Sequence, residues 1–108
     1  MAFSKAHLYS NRERRNARIA SALGHPARIK IMHQLQSGEQ SFQYLFANHP
    51  LNKATLSQHL RTLRLAGLID CVEFGPNTYY SFVYENHPKW VSMILGEMIQ
   101  FEKLRSAA

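Results

Sequence analysis

The sequence predicts a mainly helical domain with a small β-hairpin, and three observations carry that expectation. Apolar residues recur at helical spacing through most of the chain, as in Leu56, Leu60 and Leu63. Residues that start and stop helices fall at the ends of those segments. Two runs rich in β-branched and aromatic residues flank Gly75-Pro76-Asn77, a turn sequence. The 108 residues make a single domain, 1–108, near the commonest domain size.

The first helix is expected to begin at Ser10. In Ser10-Asn-Arg-Glu13 the serine can cap one backbone N–H while the glutamate reaches back to another. It should run to Leu23 and end at Gly24. His25-Pro26 opens a second helix, with proline in the first turn, where its missing N–H removes no bond. Ile29, Ile31, Met32 and Leu35 give this helix its buried face, and Ser37-Gly38 ends it. A short third helix follows from about Ser41 to Ala47, with Phe42, Leu45 and Phe46 inward, until Asn48-His49-Pro50 breaks it.

The fourth helix is the informative one. It is capped by Asn52, carries Leu56, Leu60 and Leu63 on one face, and stops at Gly67, where a left-handed residue is wanted. Its polar face holds Lys53, Thr55, Ser57, Gln58, His59, Arg61 and Arg64, with no carboxylate among them. Such donors can reach phosphates and base edges, and helical spacing lets several point into a major groove together. A short helix, a tight turn and a longer basic helix form a helix-turn-helix. Ile69-Asp-Cys-Val-Glu-Phe74 and Thr78-Tyr-Tyr-Ser-Phe-Val-Tyr84 then make a two-stranded hairpin, which in this position reads as a wing. Asn77 and Thr78 are its polar tip. Asn86 or His87 opens a fifth helix, with Pro88 in its first turn, that should extend to about Arg105. Its apolar residues, among them Trp90, Val91, Ile94, Met98 and Phe101, cover more than the single stripe a small domain needs. The surplus points first to a homodimer interface, with a bound ligand or a wrapped first helix as the alternatives.

Charge and composition narrow the function. The net charge is +6, and residues 1–30 carry seven Lys and Arg against the single acid Glu13. From Gln40 to Ile69 there are three bases and no acid. This favours a polyanionic partner. Arg12, Arg14, Arg15 and Arg18 form either a solvated face or a flank that attracts DNA. The one cysteine, Cys71, excludes an intramolecular disulfide and a cysteine zinc cluster within one chain. No two of the six histidines have i, i+4 spacing. Paired carboxylates, a nucleophile with its base and a phosphate-cradling glycine loop are all lacking, so no enzyme and no cofactor are expected. With neither a signal-like apolar start nor a membrane-length apolar run, the expectation is a cytoplasmic protein with no membrane partner.

The chain resembles the ArsR family of bacterial winged-helix transcriptional regulators. The residues that carry the resemblance are Ala22-Leu-Gly-His-Pro-Ala-Arg-Ile-Lys-Ile31, Leu51-Asn-Lys-Ala-Thr-Leu-Ser-Gln-His-Leu60, Leu63-Arg-Leu-Ala-Gly-Leu-Ile69, and Gly75 followed by Tyr79-Tyr80. The resemblance implies a homodimer built through the first and last helices. It also implies a two-fold double-stranded DNA operator, usually repressed and released by an inducer. Lys53, Thr55, Ser57, Gln58 and His59 match the segment that contacts bases and phosphates. Gln58 is the candidate base reader, because its amide can be bidentate to adenine. Lys53, Arg61 and Arg64 are candidate phosphate contacts. Metal-sensing members carry cysteines before the recognition helix, where this chain has Gln40-Ser-Phe-Gln-Tyr44, or spaced histidines and carboxylates on the last helix. Here that helix offers Glu85 and His87, then only Glu97 and Glu102, so a member without a metal site is implied. No residue names an inducer. The competing reading is a winged-helix module whose polar face binds a protein partner.

Overall fold

In a computed structural model, residues 8–83 and 87–96 are described. Helix α1 spans Asn11–Ala22, α2 Pro26–Gln36, α3 Phe42–Ala47 and α4 Lys53–Leu65. Strand β1 is Gln40–Ser41, β2 Ile69–Phe74 and β3 Asn77–Phe82. The described part of a fifth helix, α5, covers residues 89–96. Met98, Phe101 and the expected helix end near Arg105 lie outside the described residues, as do Tyr84 and Asn86.

The ends of the helices follow from their capping residues. Ser10 Oγ accepts from the Glu13 N–H at 3.0 Å and the Glu13 carboxylate accepts from the Ser10 N–H at 2.9 Å, a reciprocal capping box. That carboxylate is held below its ordinary value by the backbone and side-chain bonds to Ser10. His25 caps α2 through Nδ1, which accepts from the Ala27 N–H, and Pro26 opens the helix. Helix α4 closes on Gly67, whose φ is +77°. The Leu68 N–H donates to Leu63 O and the Gly67 N–H donates to Arg64 O, both at 3.0 Å. These are the two bonds of a Schellman cap, and the apolar pair that accompanies it, Leu63 and Leu68, is fully buried.

The sheet differs from the expected hairpin in two ways. A third strand is present: β1 pairs antiparallel with β3, placing Gln40 opposite Tyr80 and Ser41 opposite Tyr79. Ser41 therefore ends a strand and caps α3 together, its hydroxyl accepting from the Tyr44 N–H. The wing turn is also one residue tighter, since Phe74 pairs with Asn77 and leaves Gly75-Pro76 as the loop. Gly75 has φ +60° and Pro76 is confined to negative φ, the sign pattern of a II′ turn that follows strand twist.

One core joins every helix to the base of the wing. Ile19, Ile31, Met32, Leu35, Leu45, Leu56, Leu60, Leu63, Leu68, Ile69, Phe82, Val91 and Leu95 are buried in it. Val91, expected at a dimer interface, has no exposed surface and packs within its own chain beside Leu95. Trp90 packs partly against the same core, whereas Met93 and Ile94 are 67% and 40% exposed. His49, in the turn between α3 and α4, is buried and its Nε2 donates to Ala27 O at 3.1 Å. It ties the helix-turn-helix to the start of α2. No helix among the described residues is long and apolar enough to cross a membrane.

Candidate nucleic-acid interface

Helix α4 presents three surfaces. Leu56, Leu60 and Leu63 are fully buried. On the opposite side, Ala54, Gln58, Arg61 and Leu65 follow one another at helical spacing, and all four are exposed. Lys53 and Ser57 are exposed between these two surfaces. The remaining flank, with Thr55 and His59, is half-buried. Asn52 uses its side-chain oxygen as the cap, accepting from the Thr55 N–H at 2.8 Å, which leaves its amide N–H groups as donors.

The expected contact residues are thus divided. Gln58, Arg61, Lys53 and Ser57 form a continuous outward surface. His59 turns toward α2, where Arg28 Nη1 lies 3.2 Å from its Nδ1 and the His25 ring centroid is 4.4 Å away. Burial holds His59 below its ordinary value, helped by the nearby His25, Arg28 and His49. Arg64 sits at the far end of the helix, donating from Nη1 to Cys71 Sγ at 3.2 Å, a bond that raises its already high pKa. Arg15 and Arg18 of α1 line the same surface groove as Arg64, together with Asp70.

At the other end of α4 the wing tip approaches. Pro76, Asn77 and Thr78 line one groove with Phe46 and Lys53, so the expected wing contacts and the helix start share a surface. Lys53 Nζ lies 5.4 Å from the centre of the Phe46 ring. Phe74, at the end of β2, is 75% exposed. Sequence reasoning selected polar residues and so passed over Ala54, Leu65 and Phe74. The signal was available for Ala54 and Leu65, which stand at i−4 and i+7 from Gln58. Arg28 and His25 were missed because their contact with His59 spans 31 or more positions. Among the described residues, no three His, Cys, Asp or Glu side chains come together to hold a metal ion.

Residues 25–70, which contain the helix-turn-helix and its two supporting segments, match the family model described as bacterial regulatory protein, arsR family. Over these residues the chain is similar to the arsR family. The fold is similar to that of solved winged helix-turn-helix structures along nearly the whole chain. NolR from Sinorhizobium fredii is 26% identical, with 94% of this chain and 95% of that one covered and a TM-score of 0.71. The homodimeric winged helix-turn-helix DNA-binding domain Mb0332 from Mycobacterium bovis is 24% identical, with 91% and 93% covered and a TM-score of 0.71. The transcriptional repressor BigR from Xylella fastidiosa is 20% identical, with 92% and 96% covered and a TM-score of 0.71. No curated protein sequence matches the chain. The family model that matches describes bacterial regulatory proteins.

Proposed function

We propose that this protein is an arsR-family regulator, a sequence-specific DNA-binding repressor that acts in the cytoplasm as a homodimer on a two-fold operator. The observation that carries the reading is the outward surface of α4. Gln58, Arg61, Lys53 and Ser57 are exposed there, no carboxylate interrupts them, and the opposite side of the helix is locked into the core. Gln58 reads a base edge, and Ala54 beside it meets a thymine methyl. Lys53 and Arg61 contact phosphates and set the register. Homodimerisation is supported by the exposed apolar residues Met93 and Ile94 on α5 and by the homodimeric state of Mb0332. Repression is supported by the likeness to the repressor BigR.

The test is fluorescence anisotropy with duplex DNA from upstream of the protein's own gene, beside a scrambled duplex, at two salt concentrations. A specific reader prefers its site by about 10³-fold or more and weakens steeply with salt. Saturation at two chains per site and loss of preference in Gln58→Ala are expected. Equal affinity for both duplexes, together with an empty genome-wide selection for bound fragments, would refute the reading. The 75% exposed Phe74 favours a second reading, in which the wing docks on a protein. That reading predicts little salt dependence.

A further inference from the structure

Three basic side chains meet on the flank of α4 that faces α2, outside the surface assigned to base reading. Arg28 is fixed from two directions. Its Nε donates to Ala22 O and its Nη2 to Ser21 O at 3.4 Å, so it closes the end of α1. Its Nη1 points to His59 Nδ1. A guanidinium N–H can only donate, so His59 Nδ1 is the acceptor and the neutral ring carries its proton on Nε2. The Ala27 N–H imposes the same tautomer on His25.

The donor inventory follows. Of the five N–H groups of Arg28, three are engaged and two remain. His59 and His25 each add an Nε2–H, and their rings are neighbours at 4.4 Å. The groups acting on His59 are His25, Arg28 and His49, all basic, and among the described residues no carboxylate acts on it. Four donors beside one another, without an acid, suit a tetrahedral oxyanion. His25 is exposed, and Arg28 and His59 are half-exposed, so the cluster is accessible. A helix seated in a major groove has a phosphate backbone along each side, and this cluster lies along one side of α4.

We infer that His25, Arg28 and His59 form a seat for one backbone phosphate beside the recognition helix. The inference rests on the DNA-binding reading of α4 and adds to it two residues, His25 and Arg28, from the preceding helix. The seat carries no sequence information. It positions the helix and adds one phosphate contact per chain, two per dimer.

The test has two arms on the full chain. In the first, histidine ring 15N signals are followed while scrambled duplex DNA or, separately, inorganic phosphate is added. In the second, affinity is measured against salt for the wild type, for exposed His25→Gln, for His59→Gln, for the charge-removing Arg28→Gln and for the charge-keeping Arg28→Lys. The seat predicts Nε2–H tautomers in the free protein and movement of the His59 and His25 ring signals on adding duplex. It also predicts that His25→Gln and His59→Gln weaken operator and scrambled DNA alike. Arg28→Gln, which removes the one fixed charge of the seat, flattens the slope of log K against log salt by about 0.9 per chain, while Arg28→Lys and the histidine variants keep it. Ring signals that move with inorganic phosphate but not with duplex would keep the seat and assign it to a free phosphorylated compound. Wild-type protein that binds no duplex would remove the DNA reading, leaving the phosphate arm to decide the seat. If neither ligand moves the rings and Arg28→Gln keeps the wild-type slope, the cluster only packs α2 against α4 and the inference is overturned.

Discussion

Gly67 joins α4 to the wing hairpin, and Gly67→Ala isolates what that junction costs. Its φ of +77° lies in the left-handed region, while a Cβ built there meets no atom within 4 Å. The penalty is therefore conformational and not a clash. A left-handed L-residue costs about 1–2 kcal/mol, and the stiffer unfolded chain of alanine returns about 0.4–1 kcal/mol. The expected net loss is about 1 kcal/mol, or roughly 4–8 °C in Tm for a chain of this size. Gly67→Asn should lose distinctly less, because asparagine tolerates this region. Urea unfolding gives the comparison, with the midpoint falling and the slope unchanged. Equal losses for alanine and asparagine, or no loss for alanine, would refute the reasoning. A loss well above 2 kcal/mol would also refute it, since only a clash absent from this site could supply that much.

Acidification should destabilise the fold. His59 and His87 both titrate below the ordinary value of 6.5, chiefly through burial, and His87 Nδ1 is buried without a hydrogen-bond partner. The unfolded chain therefore binds more protons in the window below about 6.5, so stability is complete above it and lost as pH falls through it. Urea midpoints measured from pH 7.5 down to 5 should fall, and fall less in a His59→Gln, His87→Gln double variant; a midpoint that rises on acidification refutes the assignment. Arg61→Ala should leave the preference for operator over scrambled DNA intact while flattening the dimer's salt slope by about 1.8 for two phosphates. An unchanged slope with lost preference would make Arg61 a base reader instead. Leu60→Ala, in the middle of the fully buried stripe of α4, should lower stability by about 2–5 kcal/mol, read from the same urea curves.

The features legible in the sequence are those set by neighbouring residues. The capping box at Ser10, the proline start of α2, the Asn52 cap and the glycine stop at Gly67 each depend on positions within a turn of one another, and each stands where the pattern puts it. The features that were not legible are set by distant partners. Strand β1 is two residues long and exists because Tyr79 and Tyr80 arrive beside it, so no local periodicity could announce it. Val91 looks like its apolar neighbours on α5 until its burial in the core is known.

The same division bears on how α4 works. Seven polar residues on one helix look equivalent when only spacing is available. Packing against α2 separates them, because a half-buried flank residue such as His59 is oriented by Arg28, which is itself held by the end of α1. An exposed residue such as Gln58 has no such constraint and can adapt to a base edge. On the proposed reading, the phosphate seat therefore lies on a different side of the helix from Gln58, and its geometry depends on residues outside α4. A substitution at Arg28 should then act on DNA affinity without touching base preference, whereas one at Gln58 should do the reverse. The polar face could be found from the sequence because hydrophobic periodicity defines its complement. Its division into adaptable and fixed groups could not, because α1 and α2 make it.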